Sequence, residues 1–441
     1  MNDLFIQYSS MTMDRRTVLK NLGIAGTIGG LAGCVGVQEQ GSTEEPASDG
    51  GSGDGGSESS GSETTESSGP AGEAKLWYSL PDSEIQARKN AMQQFNDQSK
   101  HAVTGADIAD LEKKTTSAIP AGQGPQSFEW AHDWVGDYYQ RNFVVGRGDS
   151  LSVSLDTFTD AAAEAVQFDG KTVGLPHSAE TVSLVYNKDK VDSAPETVAD
   201  MVSVMEEQHD PSNNSYGLSY PFNSYFVSAW LQAFGGYYFD SEKDPQLGID
   251  QSSTIEGLQF ILDNFVPYVP KDPSYEAQAA AFAEGNAAFA FNGPWYLATL
   301  NEKGVNYGVT TLPKPEGGEP TPYTGITMWY FSKAMKEGGA DAMAAQKFIE
   351  WYVTNEDRAL MAAEEQGTIP VLKSLAGSED LPPRVRAFSE AVAQGRPMPT
   401  HPKMNKVWGP LDDALIKSFN GDAKPKKALE QAAATVRKNW E

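Results

Sequence analysis

The chain has 441 residues, of which 39% are hydrophobic and 10% aromatic, and these values exclude a fully disordered protein. Its 60 acidic and 34 basic residues give a net charge of −26, which argues against nucleic acid or an anionic membrane surface as a partner. The single cysteine excludes disulfides within the chain, and the five scattered histidines lack metal-ligand spacing, so we expect no metal and no cofactor.

The first 33 residues have the features of an export signal. Arg15 and Arg16 begin a twin-arginine pattern, and the apolar run 21–33 behind them is too short to span a bilayer. This run ends in Leu31-Ala32-Gly33-Cys34, which is typical of a lipobox. The sequence predicts a twin-arginine lipoprotein signal over 1–33 and lipidation of Cys34, which would anchor the protein at the extracytoplasmic face of the membrane. The alternative is a buried helix with a chance cysteine.

Residues 34–73 are predicted to be a lipid-anchored, acidic Gly/Ser linker. From 38 to 72 the chain is rich in Gly, Ser, Glu and Thr and has no aromatic residue, so it cannot bury enough apolar surface to fold. The rest of the chain is acidic as well. Such a surface is typical of proteins from halophilic archaea, in which carboxylates keep the surface hydrated in strong salt. The alternative is an ordinary soluble acidic protein.

The folded body alternates strand-like and helix-like stretches, which predicts an α/β protein. Residues 75–79 and 181–186 are expected to be strands. Ser253 and Glu256 have the spacing of a capping box before an amphipathic helix, and Asp341 is expected to cap a later helix.

Aromatic residues stand beside polar groups in loops at four places along the body. These are Trp130 near Asp133, Tyr225, Trp295 and Trp408. Aromatic rings stack on the C–H faces of sugars, and carboxylates accept hydrogen bonds from sugar hydroxyls. Core packing would explain each aromatic taken alone, but four such clusters indicate a sugar-binding groove.

Motifs of known catalytic sites are absent from the sequence from residue 75 onward, including G-x-G-x-x-G, the P-loop, H-E-x-x-H and G-x-S-x-G. Asp133 and Glu180 could serve as the acid and nucleophile of a glycosidase, and this alternative stays open. We expect a binding protein rather than an enzyme.

From about residue 75 onward the chain resembles the extracellular solute-binding proteins of ABC sugar importers, in particular those that bind maltodextrin. The resemblance rests on ordered motifs: Trp130-Ala131-His132-Asp133, Glu180 ahead of 183–189, Gly235-Gly236-Tyr237, Asn292-Gly293-Pro294-Trp295, residues 305–310, and Met398-Pro399 ahead of Trp408.

This resemblance implies a two-lobed periplasmic-binding-protein fold of the type II kind, with a hinge and a central ligand cleft. One lobe would comprise 74–179 and 326–379, and the other 183–322 and 383–441. The crossings would fall near 179–182, 323–326 and 378–383. The implied ligand-binding residues are Asp82, Glu112, Trp130, Asp133, Glu180, Tyr225, Trp295, Met398 and Trp408, with Tyr275 as a weaker candidate.

The chain departs from the family pattern at several cleft positions. Trp134 replaces an arginine and could add a stacking face, and Asn223 replaces a carboxylate with an amide. Gly409 and Asp412 replace a tyrosine and an arginine. We expect Trp134 and Asn223 to contact the ligand all the same.

The expected function is that of a monomeric receptor that captures maltose or maltodextrin, an α-glucan, and delivers it to the transmembrane subunits of an ABC permease. The alternatives are a receptor for another sugar or polar solute on the same fold, a surface glycoside hydrolase, and a purely structural cell-surface protein.

Overall fold

The structure is a computed structural model that describes residues 71–80 and 82–441, without the side chains of residues 82 and 83. The predicted signal, Cys34 and nearly all of the linker lie outside this range. Within it, no helix has both the length and the apolar character needed to cross a membrane.

Thirteen strands form three sheets in the part of the chain that the structure describes. In chain order they are β1 (Glu73–Tyr78), β2 (Ala102–Asp107), β3 (Ser127–Ala131), β4 (Gln167–Phe168), β5 (Lys171–Thr172), β6 (Gly174–Thr181), β7 (Ser183–Asn187), β8 (Tyr216–Ser219), β9 (Ala287–Asn292), β10 (Tyr307–Thr310), β11 (Tyr323–Phe331), β12 (Ile369–Pro370) and β13 (Arg396–Pro397).

Fourteen α-helices accompany them in the same part of the chain. They are α1 (Asp82–Gln98), α2 (Leu111–Ala118), α3 (Val135–Gln140), α4 (Asp160–Ala165), α5 (Val198–Gln208), α6 (Ser228–Leu231), α7 (Ser252–Asn264), α8 (Tyr275–Ala283), α9 (Leu297–Lys303), α10 (Gly339–Thr354), α11 (Glu356–Gln366), α12 (Pro383–Gln394), α13 (Trp408–Phe419) and α14 (Pro425–Trp440). This alternation confirms the α/β class.

The larger sheet has seven strands in the order β12-β6-β11-β3-β1-β2, with β13 added beside β11. Strand β1 runs parallel to β2 and β3, whereas β11 runs antiparallel to β3 and β6. All nine residues of β11 are buried, which explains its nearly continuous apolar sequence. The smaller sheet has the order β10-β7-β9-β8, and β4 pairs with β5 as a separate ribbon.

The chain leaves the larger sheet and enters the smaller one at Val182. The expected strand 181–186 is therefore not one element: residue 181 ends β6, and β7 starts at residue 183. Tyr323, at the second predicted crossing, bonds to both β6 and α6. Its carbonyl accepts from the hydroxyl of Thr181, the last residue of β6, at 3.0 Å, and its N–H donates to the hydroxyl of Ser228, the first residue of α6, at 2.9 Å. Each predicted lobe thus holds one main sheet, except that β13 of the second lobe pairs with the start of β11.

Two predicted helix caps are wrong. Helix α7 begins at Ser252, one residue before the expected cap Ser253, and its N-cap residue Gln251 makes no side-chain cap. Helix α10 begins at Gly339 behind Gly338, and the Asp341 carboxylate instead accepts a hydrogen bond from the backbone N–H of Glu73 at 3.0 Å. Tertiary contact with β1 thus replaces the local cap at Asp341.

Candidate functional site

A carboxylate and an indole meet where β3 ends. Asp133 lies in a 3₁₀ turn, His132–Trp134, directly after β3, and only 6% of it is exposed. Burial, with a smaller contribution from nearby Glu112, raises the pKa of Asp133 to about 7. The indole N–H of Trp408 opposes this increase, although the pair falls short of normal hydrogen-bond geometry. A protein carboxylate with few hydrogen bonds of its own can accept them from a ligand.

His132 fixes the position of this turn. Its Nδ1 accepts from the backbone N–H of Ile326 at 3.0 Å, so Nε2 carries the proton and donates to the carbonyl of Met398 at 3.0 Å. Burial lowers the pKa of His132 to about 4, which keeps the imidazole neutral near pH 7. The sequence analysis assigned His132 no role, although it lies in the same motif as Asp133.

Glu180 lies near the end of β6 and owes its position to a glycine. It is opposite Gly325 in the register of β6 with β11, and a Cβ at residue 325 would lie 2.6 Å from Cγ of Glu180. Glycine therefore leaves the space that the Glu180 side chain fills. Glu180 lines a cavity of about 50 Å³ together with Ser178 of the first predicted lobe and with Pro294 and Trp295 of the second, so residues of both predicted lobes meet there.

An aromatic cluster surrounds Trp295. Its ring centroid lies 6.2 Å from that of Tyr225 and 6.0 Å from that of Phe226, with tilted and edge-to-face geometry respectively. A Cβ at Gly293 would lie 2.2 Å from the indole, so glycine is required for the ring to fold back over its own backbone. Trp295 is half-buried and keeps part of its surface for another contact.

Trp408 is also half-buried and begins α13. Its ring packs edge-to-face on Tyr238 at 6.0 Å and on Tyr323 at 5.8 Å. The aromatic support beneath Trp408 therefore includes Tyr323 of the predicted crossing.

Three other predicted residues are Asn223, Trp134 and Met398. The Asn223 side-chain oxygen accepts from the backbone N–H groups of Tyr225 and Phe226, both at 3.1 Å, so these two bonds do not use its amide nitrogen. The Trp134 ring lies 5.6 Å from that of Tyr138. Met398 is 6% exposed.

The remaining predicted residues lie as follows. Trp130 is half-buried in β3, opposite Met328, and Glu112 lies in the first turn of α2. Tyr275 begins α8 and is buried, with its ring 5.8 Å from Phe226. Asp82 begins α1, but its side chain lies outside the described part. The structure thus brings together Glu112, Asp133 and Trp408 at one position, and Glu180, Tyr225 and Trp295 at another.

Sequence reasoning missed a buried charge cluster beside Glu180. Arg88 pairs with Glu129, and His177 Nε2 lies 3.3 Å from the same carboxylate. Burial alone would raise the pKa of Glu129, but Arg88 and His177 hold it well below its usual range. Arg358 places its guanidinium 3.7 Å from the centroid of the Tyr352 ring. These residues, which are far apart in sequence, line the same cavity as Glu180 and Trp295.

Asp412, noted above as a departure from the family, bonds to the backbone of the segment before Tyr225. Its carboxylate accepts from the backbone N–H of Ser224 at 2.7 Å, and burial raises its pKa. It thereby fixes the segment that precedes Tyr225. Across residues 71–80 and 82–441, no group of three or more His, Cys, Asp or Glu side chains could hold a metal ion.

Comparisons with known proteins show which proteins this chain is similar to. The family model described as bacterial extracellular solute-binding protein matches residues 87–386. The maltotriose-binding protein of Pyrococcus abyssi is 35% identical over 353 residues, which cover 78% of this chain and 77% of that protein. The galactooligosaccharide-binding protein of Bacillus subtilis is 29% identical over 340 residues, covering 72% and 77% respectively. The structure of the Thermus thermophilus maltotriose-binding protein with maltotriose is 27% identical, with a TM-score of 0.75, covering 83% of this chain and all of that one. These likenesses confirm the two-lobed fold.

Proposed function

The chain belongs to the family of bacterial extracellular solute-binding proteins, and from this premise we propose that it captures maltotriose and related maltodextrins and delivers them to an ABC permease. The ligand would lie in the cleft between the predicted lobes, 74–179 with 326–379 and 183–322 with 383–441. The function is one of binding and release, without enzymatic chemistry.

One observation carries this proposal: a carboxylate of the first predicted lobe and one of the first predicted crossing lie beside indoles of the second lobe. Asp133 is next to Trp408, and Glu180 lines one cavity with Trp295. An indole face covers the C–H groups of a glucose ring, and a carboxylate accepts hydrogen bonds from its hydroxyls. Because each indole belongs to the second lobe and each carboxylate lies outside it, a sugar held by both pairs stabilises the closed form by its excess affinity for that form.

The other predicted residues take supporting positions in this proposal. Trp130 and Trp134 extend the aromatic surface beside Asp133, while Tyr225 does so beside Trp295. Asn223 donates through its amide nitrogen, and Glu112 and Asp82 accept hydroxyl hydrogen bonds. Met398 contributes an apolar wall.

The proposal extends to the cellular location. A twin-arginine signal exports the folded chain, lipidation of Cys34 anchors it outside the membrane, and the linker gives the monomeric body a reach of roughly 30–35 Å. The net charge of −26 supports a halophilic archaeon as the source.

Isothermal titration calorimetry on the chain without residues 1–70 tests the sugar specificity. We expect maltotriose to bind with a Kd near 1 μM, about −8 kcal/mol, and to remain intact after prolonged incubation. A galactooligosaccharide is the second candidate, because a relative that binds this class is 29% identical. Binding of the galactooligosaccharide without binding of maltotriose would reverse the assignment, and release of glucose would indicate a hydrolase.

A further inference from the structure

A groove separates α1 from α11 on the outer surface next to the cleft. It has a volume of about 480 Å³, and its lining includes Ala87 and Ala91 of α1 and Met361 of α11. Met361 is 59% exposed and Met343 is 41% exposed, and these two are the only exposed large hydrophobic residues in the described part of the chain. Methionine at an exposed position is suited to contact with a partner, because its flexible side chain adapts to different apolar surfaces.

The exposed charged residues that line this groove are negative. Asp357 and Glu365 lie on its α11 side and are exposed. The two arginines that line it are directed elsewhere: Arg88 pairs with buried Glu129, and Arg358 donates from Nε to the carbonyl of Tyr352 at 2.8 Å. The α1–α11 groove therefore presents an apolar centre between carboxylates, which is complementary to a basic segment with an apolar side chain.

The end of helix α11 contacts the segment that carries Trp295. Helix α11 ends at Gln366, and its C-cap residue Gly367 has φ of +76°. A Cβ at this glycine would lie 2.9 Å from Leu297 Cδ1 and 3.1 Å from the Pro294 carbonyl oxygen. Pro294 precedes Trp295 directly, so the end of α11 is in close contact with the neighbours of a ligand-binding residue of the other predicted lobe.

We propose that the α1–α11 groove is the docking surface for the permease, and that it receives a basic extracytoplasmic segment whose apolar side chain packs on Met361. This inference rests on the proposed function and names the surface through which delivery occurs. The contact of Gly367 with Pro294 and Leu297 places the end of α11 against the second predicted lobe, so a partner bound in the groove lies beside the boundary that moves when the lobes close.

Uptake of labelled maltotriose by cells that express the full chain from its own gene tests the surface. Met361→Glu should reduce uptake at least tenfold, because it places a charge at the apolar centre. The matched control Met343→Glu should stay within twofold of wild type. A double variant, Asp357→Lys with Glu365→Lys, should also reduce uptake at least tenfold and serves as the second probe if Met361→Glu does not accumulate. Both methionine variants should bind maltotriose within twofold of wild type.

The surface assignment is wrong if Met361→Glu, or the charge-reversed double variant, supports wild-type uptake at equal protein level. It is equally wrong if Met343→Glu loses as much uptake as Met361→Glu. Failure of the wild-type chain to bind maltotriose would instead overturn the proposed function on which the inference rests.

Discussion

Replacement of Asp133 by asparagine should strengthen the fold and weaken sugar binding at the same time. Asp133 is buried, and its pKa of about 7 lies above the value of 3.8 expected for an exposed aspartate. The folded state therefore holds this proton more tightly than the unfolded state. Stability falls as the pH rises from about 4 to about 7, and the loss is complete above pH 7.

The size of this loss of stability follows from the pKa shift of Asp133. A change from 3.8 to about 7 corresponds to about 4 kcal/mol of cost for the charged side chain above pH 7. An asparagine at this position would keep the shape without the charge, so Asp133→Asn should be more stable than wild type at pH 8. At pH 5 the folded wild type is protonated while the unfolded chain is already mostly ionised, so the stability advantage of the variant should fall to about 2 kcal/mol. Sugar binding at pH 8 should weaken by about 2 kcal/mol because charge-assisted hydrogen bonds are lost.

Denaturant unfolding at pH 5 and pH 8, with maltotriose calorimetry on the same samples, measures both effects. Asp149→Asn is the control, because Asp149 is exposed and lies outside the site. A stability difference between wild type and Asp133→Asn that is equal at both pH values would refute the reasoning from burial. Unchanged affinity at pH 8 would refute the placement of Asp133 in the site.

Three further predictions concern separate parts of the protein. Trp295→Ala should weaken maltotriose binding by at least about 2 kcal/mol in calorimetry. The control is Trp351→Ala, which removes a half-buried indole packed on Phe348; it should lower the melting temperature and leave the affinity for maltotriose unchanged. Burial lowers the pKa of His132 from 6.5 to about 4, so wild type should lose about 3 kcal/mol of stability as the pH falls from 6.5 to 4. His132→Gln should not show this loss when unfolding is measured as a function of pH. Cys34→Ser should release the protein into the medium or leave it unprocessed, and fractionation that finds it membrane-bound at mature mass would contradict lipidation.

The sequence alone determined the features that depend on local composition. The alternation of strand-like and helix-like stretches predicted the α/β class, and ordered motifs such as 130–133 and 292–295 predicted the family and its two-lobed fold. Motif residues can be recognised without coordinates, because the requirements of a tight turn or a stacking surface are expressed in neighbouring residues.

The tertiary structure decided which residues act together. Asp133 and Trp408 meet only because the chain crosses between the two sheets, and no local pattern encodes a contact between residues so far apart. The pKa of Asp133 depends on its burial, and the cap expected at Asp341 was replaced by a contact with Glu73. Long-range packing sets solvent exposure and removes competing partners, and these two quantities determine whether a carboxylate caps a helix, pairs with an arginine or faces a ligand.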